Sequence, residues 1–489
     1  MHGKSKKQNG GAADARHKVM NRKGGGRLVV LSNRVAMPRA GQAAPGGLAV
    51  ALHSALNARG GIWFGWNGRQ AAHRPATPQT LSRDGVEYAT LPLLRDDFND
   101  YYQGFANQVL WPLMHCRLEL LRYRRRYFEA YRRVNAWFAQ HLAAMLKPED
   151  TLWVHDYHFV PMAAEVRARG FRGPVGFFLH TPFPPLEILR AMPPHREFLN
   201  LFTAYDLVGF QTEGDRHDFV ESARRDTGVE RSGRYRIHRG PHVLVSGVFP
   251  IGVDVHEIAD QARRGRHSRQ LKTFRRGLEG RRLIIGADRL DYSKGLVERC
   301  HAYRNLLSRY PELHRGIVYL QVAEPSRTEV PEYREVRRRL DQIAGEIIGE
   351  YARFDWMPMR YLSHRMRRAT LLAFLSVASV ALVTPLRDGM NLVAKEFIAA
   401  QDPDDPGVLI LSEMAGAARQ LKEALLVNPY DVEGVADAIA EALAMPLPER
   451  RRRWEAQFET VRRGDIHNWS DRFLGALNER SATAKGSGA

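Results

Sequence analysis

The sequence predicts an α/β fold in two doubly wound halves that face each other across a cleft. Short apolar runs alternate with longer helical patterns along the chain, which is the repeated βαβ arrangement of parallel sheets. The apolar runs are continuous, as expected for strands that are buried on both faces. A length of 489 residues exceeds what one hydrophobic core supports and suits two domains.

The predicted strands form two sets of five, one in each half of the chain. Each apolar run is followed by polar or turn-forming residues. The runs span residues 28–31, 152–154, 175–179, 207–210 and 243–248 in the first half, and 283–285, 317–322, 380–383, 408–411 and 425–427 in the second. Helices such as 127–146 and 432–444 are predicted to connect them.

The domain boundaries follow from these elements and from composition. Residues 1–26 hold seven Lys or Arg and one Asp with almost nothing apolar, so they are predicted to form a disordered basic tail. The first domain is predicted to span residues 27–250 and the second 251–453. The amphipathic stretch 454–480 is expected to pack back on the first domain. The small, polar residues 481–489 are expected to be disordered.

The formal net charge is +19, from 73 basic and 54 acidic residues. The tail accounts for +6 of it, and arginine-rich helices at 122–133, 334–339 and 450–453 carry much of the rest. We interpret these helices as solvated surfaces rather than as a nucleic-acid site. A positive field would also attract an anionic substrate.

Composition also bears on location. No apolar run approaches the roughly 20 residues of a membrane span, and the basic N-terminus lacks the apolar centre of a signal peptide. Cys116 and Cys300 are far apart and outside any metal or redox motif. The prediction is a cytoplasmic protein with free thiols and no membrane partner. A homo-oligomer is left open.

Several motifs are absent from the sequence. There is no G-x-G-x-x-G after the first strand and no phosphate-binding G-x-x-x-x-G-K-[ST] loop, which argues against NAD-type and P-loop chemistry. There is no H-E-x-x-H motif, and His155 and His158 follow a strand directly rather than sharing a helix face. Neither a cofactor nor a metal is predicted.

Polar clusters follow the predicted strands. They lie at 32–34, 155–158 and 180–182 in the first half, and at 288–295, 324–327 and 384–396 in the second. Ligands of doubly wound sheets bind at the carboxyl ends of the strands. Two sheets with these ends facing each other would bring all the clusters into one cleft.

The segment 384–396 is the most informative of these clusters. A buried strand ends, Gly389 lets the chain approach a ligand closely, and a helix then begins with its free amides facing the turn. Asp388 precedes those amides, and Glu396 lies farther along the helix. Amides suit an anion and carboxylates suit sugar hydroxyls. The segment therefore predicts a ligand that is part anion and part polyol, such as a nucleotide sugar.

The motifs, taken together, match a known family. The chain resembles the trehalose-6-phosphate synthases, retaining glycosyltransferases of family 20 with two Rossmann-like domains in the GT-B arrangement. The resemblance runs from about Leu28 to Trp469. It is carried by LSNR at 31–34, GGLA at 46–49, WFGW at 63–66, YY at 101–102, LWP at 110–112, VHDYH at 154–158, FFLHTPFP at 177–184, GFQT at 209–212, RLDYSKG at 289–295 and RDGMNL at 387–392.

The resemblance implies transfer of glucose from a nucleotide donor, UDP-glucose foremost, to glucose 6-phosphate. The products would be α,α-trehalose 6-phosphate and UDP, formed with retention and without a metal. The first domain would hold the acceptor and the second the nucleotide sugar. The acceptor hydroxyl would attack on the face that the diphosphate leaves, and a departing phosphate oxygen would take its proton.

The resemblance also implies site residues. Arg289 and Lys294 would neutralise the leaving diphosphate, and Glu396 would hold the ribose. The catalytic set is Arg289, Lys294, His180 and Asp388. The donor-binding set is Gly46, Gly47, Arg289, Lys294, Asp388, Gly389, Met390, Asn391, Leu392, Val393 and Glu396. The acceptor-binding set is Arg34, Tyr102, Trp111, Asp156 and Arg327.

Three other functions compete with this one. A sister enzyme would use another phosphorylated acceptor, such as glycerol 3-phosphate, and Arg34 and Arg327 would serve it equally. A non-catalytic sugar-phosphate sensor would be expected to lack residues such as Lys294 or Glu396. A basic-tail nucleic-acid binder is the third. One departure from the family pattern is Asp288 where some members have Glu, which is expected to alter how Arg289 is oriented.

Overall fold

The computed structural model describes residues 26–35, 37, 47–233, 235–327 and 329–486, and its strands form two sheets. The strands of the first sheet are β1 Leu28–Arg34, β2 Gly61–Ala71, β3 Gln79–Arg83, β4 Val86–Leu94, β5 Thr151–His155, β6 Val175–Phe178, β7 Leu207–Phe210, β8 Glu230–Ser232, β9 Arg236–Arg239 and β10 His242–Val248. Those of the second are β11 Arg282–Arg289, β12 Ile317–Glu324, β13 Met359–Leu362, β14 Val380–Val383, β15 Val408–Ser412 and β16 Leu425–Val427. The predicted α/β class with two doubly wound halves is confirmed.

The first sheet has the order β3-β4-β2-β1-β5-β6-β7-β10-β9-β8. Its centre, from β4 to β10, is parallel, and β3, β9 and β8 add antiparallel edges. All five strands predicted for this half are present. The sequence analysis missed β2, β3, β4, β8 and β9. Strand β3 is exposed along its whole length, β8 has only three residues, and β2, β4 and β9 mix buried with less buried positions.

The second sheet is parallel throughout, in the order β13-β12-β11-β14-β15-β16. All five strands predicted for this half are present, and only the four-residue edge strand β13 was missed. The strands β11, β12, β14 and β15 are almost fully buried. Their continuous apolar runs are therefore explained by helices that cover both faces.

Helices connect the strands and cover the sheets. They are α1 Gly47–Arg59, α2 Arg95–Asp97, α3 Trp111–Met114, α4 Arg125–Met145, α5 Met162–Ala168, α6 Leu186–Leu189, α7 His195–Phe202, α8 Glu213–Asp226, α9 Val255–Gly265, α10 Arg269–Arg276, α11 Leu296–Arg309, α12 Pro331–Tyr351, α13 Arg368–Leu375, α14 Leu392–Ala400, α15 Val432–Ala444, α16 Leu447–Arg463 and α17 Ile466–Gly486. A π-helical segment, Phe98–Leu110, joins α2 to α3.

The last helix, α17, packs on the first sheet. Trp469 and Phe473 stack against Trp153 of β5 with ring centroids 4.9 and 4.8 Å apart, and Phe473 also meets Phe249. Only the later part of the stretch 454–480 makes this contact, because Trp454 on α16 donates to the carbonyl oxygen of Ile398 on α14 instead. The helix extends to Gly486, so residues 481–486, which we expected to be disordered, are helical. Residues 1–25 and 487–489 of the predicted tails lie outside the described residues.

The predicted arginine-rich surfaces are largely ion-paired. On α12 Arg338 forms an ion pair with Glu335, and on α16 Glu449 forms ion pairs with both Arg452 and Arg453. These pairs are one helical turn apart and exposed, which is typical of a solvated helix face. None of the helices in the described part of the chain is long and apolar enough to cross a membrane.

Candidate active site

The carboxyl ends of the two sheets meet in one cleft. Trp111 at the start of α3 donates its indole N–H to Asp291, beyond β11, at 3.4 Å. Arg327, which follows β12, donates to the hydroxyl of Tyr157, which follows β5, at 3.2 Å. Of the six polar clusters predicted at strand ends, five take part in these contacts or in the loop contacts described next, namely those at 155–158, 180–182, 288–295, 324–327 and 384–396. The two-sheet geometry that the strand ends predicted is thus observed.

The loop between β14 and α14 is seated against the first domain. Arg387 donates to the carbonyl oxygens of Phe183 and Met114 at 3.1 and 3.3 Å. Gly389 lies so close to the carbonyl of His180 that an added Cβ would be 1.9 Å from its oxygen. The glycine is therefore required by a close backbone approach, as the sequence analysis inferred, although the neighbour is protein backbone.

Lys294 lies in a short 3₁₀ turn, Tyr292–Lys294, that follows β11. Asp291 caps this turn by accepting from the amide and the hydroxyl of Ser293. Gly295 then takes a left-handed conformation, φ 64°, that admits the chain into α11. The ammonium of Lys294 reaches Asp388 at 2.5 Å, so the turn and the 384–391 loop are joined by an ion pair that is mostly buried.

Asp388 is already occupied by protein donors. Its carboxylate accepts from Lys294, from the amide of Gly389 at 3.0 Å and from the side chain of Asn391 at 3.1 Å. We predicted that Asp388 would hold donor hydroxyls. In this structure its immediate effect is to fix the loop and the position of Lys294.

Arg289 is exposed at the end of β11. Its guanidinium carbon lies 5.8 Å from the ring centre of Trp111, and it forms no ion pair with any residue that the structure describes. Asp288, in place of the Glu of some family members, was expected to alter how Arg289 is oriented, but the structure shows no hydrogen bond or ion pair between these two described side chains. The carboxylate of Asp288 pairs with the buried Arg299 at 2.9 Å, because alternate strand positions point to opposite faces of the sheet.

Arg299 forms a second layer behind Lys294. Besides Asp288, it donates to the hydroxyl of Thr384 at 3.0 Å and to the carbonyl oxygen of Lys294 at 3.3 Å. Its charge is matched and its donors are used, which is the condition for burying a guanidinium. The network ties the ends of β11 and β14 to the lysine that faces the cleft.

Glu396 points from α14 into a buried position rather than onto the helix surface. Its carboxylate accepts from Arg368 at 3.3 Å, and Arg368 also reaches Glu257 at 3.4 Å. Burial raises the pKa of Glu396, and the charge of Arg368 opposes that shift. Arg368 therefore keeps the carboxylate in place and favours its ionised form.

Two helix starts were expected to face the ligand, those of α14 and α1. Helix α14 begins at Leu392 after Asn391, whose φ is 65°. Met390 is buried, and its carbonyl accepts from Ala417 at 2.9 Å. Val393 lies in the first turn. Helix α1 does begin at Gly47, whereas Gly46 lies outside the described residues.

His180 is a half-buried, neutral imidazole. Its Nε2 lies 3.1 Å from Nδ1 of His155, so one ring donates and the other accepts. Burial lowers the pKa of His180 to about 3. An uncharged ring beside a donor sugar can accept or donate a hydrogen bond, and it brings no positive charge of its own.

The predicted acceptor residues pack on two tryptophan rings, Arg327 on Trp111 and both Tyr102 and Arg34 on Trp66. The guanidinium carbon of Arg327 lies 4.0 Å from the indole ring centre, a cation–π contact. Tyr102 packs on Trp66 at 5.0 Å between ring centres, and Arg34 lies over that same ring at 5.7 Å. Arg34 and Tyr102 are therefore linked through Trp66, which the sequence analysis did not place in the site.

Asp156 follows β5 in an unusual backbone conformation, φ 69°, which is uncommon for a residue with a side chain. Its carboxylate accepts from the amide of His180 at 3.3 Å. Burial raises the pKa of Asp156 to about 6, against the opposing effect of that amide and of Arg327. Strain and a shifted pKa in one cleft residue are typical of a functional site.

A pH dependence follows from Asp156. Below about pH 6 the carboxyl becomes protonated and loses capacity to accept a hydrogen bond from a sugar hydroxyl, so kcat/KM for the acceptor should fall as the pH falls through this value. A phosphorylated acceptor titrates in the same range, with a second pKa near 6. Asp156→Asn keeps the substrate's titration and removes that of the carboxyl. The ratio of wild-type to variant kcat/KM should therefore decline below about pH 6, and a ratio that is flat with pH would contradict the assignment.

Several residues of the site were missed by sequence reasoning. Asp291, Tyr333 and Arg387 all make polar contacts within the cleft. Asp291 and Arg387 stood inside the quoted motifs, which was a signal. Tyr333 lies in an arginine-rich helix and had none. No group of three or more His, Cys, Asp or Glu side chains in the described ranges is arranged as a metal site.

Comparison with known proteins gives consistent results. A family model described as glycosyltransferase family 20 matches residues 28–479. A curated relative from Sinorhizobium fredii, named trehalose-6-phosphate synthase, is 45% identical over 458 residues, covering 93% of this chain and 99% of the relative.

Solved structures agree with the sequence match. An α,α-trehalose-phosphate synthase (UDP-forming) from Burkholderia xenovorans, in complex with glucose-6-phosphate, is 44% identical with a TM-score of 0.89, covering 93% of this chain and 100% of that one. A trehalose-6-phosphate enzyme from E. coli bound with UDP-2-fluoro glucose is 42% identical with a TM-score of 0.88, covering 92% and 98%.

Proposed function

The chain belongs to glycosyltransferase family 20, and we propose that it transfers glucose from UDP-glucose to glucose 6-phosphate, releasing UDP and α,α-trehalose 6-phosphate. The new bond would join the two anomeric carbons, with retained configuration at the transferred glucose. A cytoplasmic location and assembly into a homo-oligomer stay predictions.

One observation carries the proposal. The indole of Trp111 lies beside two guanidinium groups, with that of Arg289 at 5.8 Å and that of Arg327 at 4.0 Å. Two cationic positions next to a single flat apolar ring suit two anionic groups with a sugar between them. A nucleotide-sugar donor and a sugar-phosphate acceptor together present such an arrangement, whereas either alone leaves one cation unused.

On the donor side, charge neutralisation is the main task. As the bond from glucose to the diphosphate breaks, negative charge grows on the leaving phosphate, and preorganised cations stabilise it. Arg289 is exposed and unpaired among the described residues, so its full charge is available. Lys294 is held by Asp388 and would be shared with the phosphate. Glu396, kept in place by Arg368, would accept from ribose hydroxyls.

On the acceptor side, Arg327 and Arg34 would bind the 6-phosphate, and Trp111 would cover a sugar face. Guanidinium groups suit phosphate because they offer parallel N–H donors. Asp156 would orient the attacking hydroxyl. The hydroxyl would attack from the side on which the diphosphate departs, and its proton would pass to the leaving phosphate oxygen, which requires no separate protein base.

An activity matrix tests the proposal directly. Purified protein is incubated with UDP-, ADP- or GDP-glucose in combination with glucose 6-phosphate, glycerol 3-phosphate or glucose. Release of the nucleotide is measured, and the product linkage is read by NMR. We expect the highest kcat/KM for UDP-glucose with glucose 6-phosphate and an α,α linkage. Faster turnover with glycerol 3-phosphate would overturn the acceptor assignment, and binding of both substrates without turnover would indicate a sensor.

A further inference from the structure

The guanidinium of Arg327 is held by two phenols rather than by a carboxylate. Its Nη1 donates to the hydroxyl of Tyr333, and its Nη2 donates to that of Tyr157 at 3.2 Å. The ring of Trp111 covers one face at 4.0 Å. These contacts fix the orientation of the cation, and its ion pair with Asp291 is a loose one, 3.7 Å long, without a direct hydrogen bond.

The nearest carboxylate, Asp291, stands just beyond hydrogen-bond reach. Its Oδ2 lies 3.7 Å from Nη1 of Arg327. The same oxygen accepts from the hydroxyl of Tyr333 at 3.0 Å. Its Oδ1 is used by Trp111 and by the amide and hydroxyl of Ser293. The carboxylate is therefore fully engaged, and the Tyr333 hydroxyl joins it to the cation.

We propose that Tyr333 is a positioning residue for the acceptor phosphate, because its hydroxyl keeps Arg327 from closing onto Asp291. This inference rests on the proposed function, since it assumes that Arg327 meets a phosphate. Tyr333 lies on α12, apart from every motif that relates the chain to its family. It therefore adds a residue to the acceptor site that neither the motifs nor the composition indicated.

The direction of the hydrogen bonds supports this role. Arginine can only donate, so the Tyr333 oxygen must accept from Arg327 and give its own proton to Asp291. Burial raises the pKa of Tyr333 well above its usual value, so the phenol keeps that proton. Burial favours the neutral form of Asp291, but Arg327, Lys294 and Arg289 outweigh it and lower its pKa to about 2. Asp291, which accepts the last hydrogen bond of the series Arg327–Tyr333–Asp291, is thus ionised near neutral pH.

Removing the Tyr333 hydroxyl should reduce the positive charge that Arg327 offers to a bound phosphate. Without it, Arg327 and Asp291 have no group between them and are already only 3.7 Å apart. Direct pairing would then compete with the phosphate for the guanidinium. Hydrogen bonds to charged groups contribute about 1.5–3 kcal/mol, which corresponds to a change of roughly tenfold or more in affinity.

The test is Tyr333→Phe, which removes one oxygen and keeps the ring that packs on Tyr292. We expect KM for glucose 6-phosphate to rise about tenfold or more, while KM for UDP-glucose and kcat at saturating acceptor change less than about twofold. The matched control is Tyr303→Phe. It removes an equally buried phenol hydroxyl from the same domain, one that donates to the carbonyl of Pro358 at 2.8 Å.

Both variants are also titrated with glucose 6-phosphate by calorimetry in the absence of donor. Weaker binding in Tyr333→Phe but not in Tyr303→Phe supports the inference. Equal acceptor KM and equal Kd in the two variants overturn it, as would an equal rise in the KM of both substrates, which indicates general misfolding. If the wild-type protein neither turns over nor binds glucose 6-phosphate, the proposed function fails instead, so the two failures are distinguishable.

Discussion

Alanine at position 289 is expected to lower kcat at least about a hundredfold. Removing one group that stabilises developing negative charge typically reduces kcat by about 10²–10³. The Arg289 guanidinium is exposed and has no ion-pair partner among the described residues, so its removal should leave folding undisturbed. The measurement is the initial rate of UDP release at saturating concentrations of both substrates.

The control for this variant is Arg275→Ala on α10, another exposed arginine, which should retain wild-type kcat. Thermal unfolding of both variants should match the wild type, because neither position is buried. The affinity for UDP is expected to fall in Arg289→Ala, since the cation meets the same phosphates in the product. A variant with near-normal turnover would show that Lys294 and the helix ends neutralise the diphosphate without Arg289.

The sequence predicted the five central strands of the first sheet and every strand of the second except β13, and it missed the strands that flank them, for a physical reason. Strands such as β11 and β14 are buried on both faces and read as unbroken apolar runs. An edge strand is partly exposed, so its run is short or mixed, as in β13. The ten-stranded first sheet was therefore underestimated by half, although its topology class was correct.

The site was predicted to the extent that its residues follow strands. Lys294 and Asp388 lie together as the clustering of strand ends implied. The partner of Asp288 could not be read in the same way, because neighbouring strand positions face opposite sides and only the three-dimensional pairing distinguishes Arg289 from Arg299. Tyr333 was missed because its contact with Asp291 spans 42 residues and two elements.

These contacts also explain how the two domains are coupled at the site. Trp111 of the first domain and Ser293 of the second share one oxygen of Asp291. Arg387, which precedes Asp388 in the 384–391 loop, donates to two carbonyl groups of the first domain. Donor and acceptor residues are therefore aligned by the same interface, so a shift of the 384–391 loop should disturb both.

Gly389→Ala tests that coupling and is expected to lower kcat by about two orders of magnitude. The added methyl would lie 1.9 Å from the carbonyl oxygen of His180, whereas ordinary contacts begin near 3.4 Å. Because the obstacle is backbone, the loop must move by an ångström or more, and Asp388 and Lys294 move with it. A misplacement of about 1 Å can reduce the rate about 10²-fold.

The matched control is Gly345→Ala in α12, where an added methyl meets nothing within 4 Å. Alanine is favoured over glycine in a helix by about 0.8–1.0 kcal/mol, so this variant should be at least as stable as the wild type and fully active. Both variants change a glycine to alanine in the same domain, and only one affects the interface. Wild-type kcat in Gly389→Ala would show that the domains tolerate a wider separation, and that the seating of this loop on His180 does not align the two substrates.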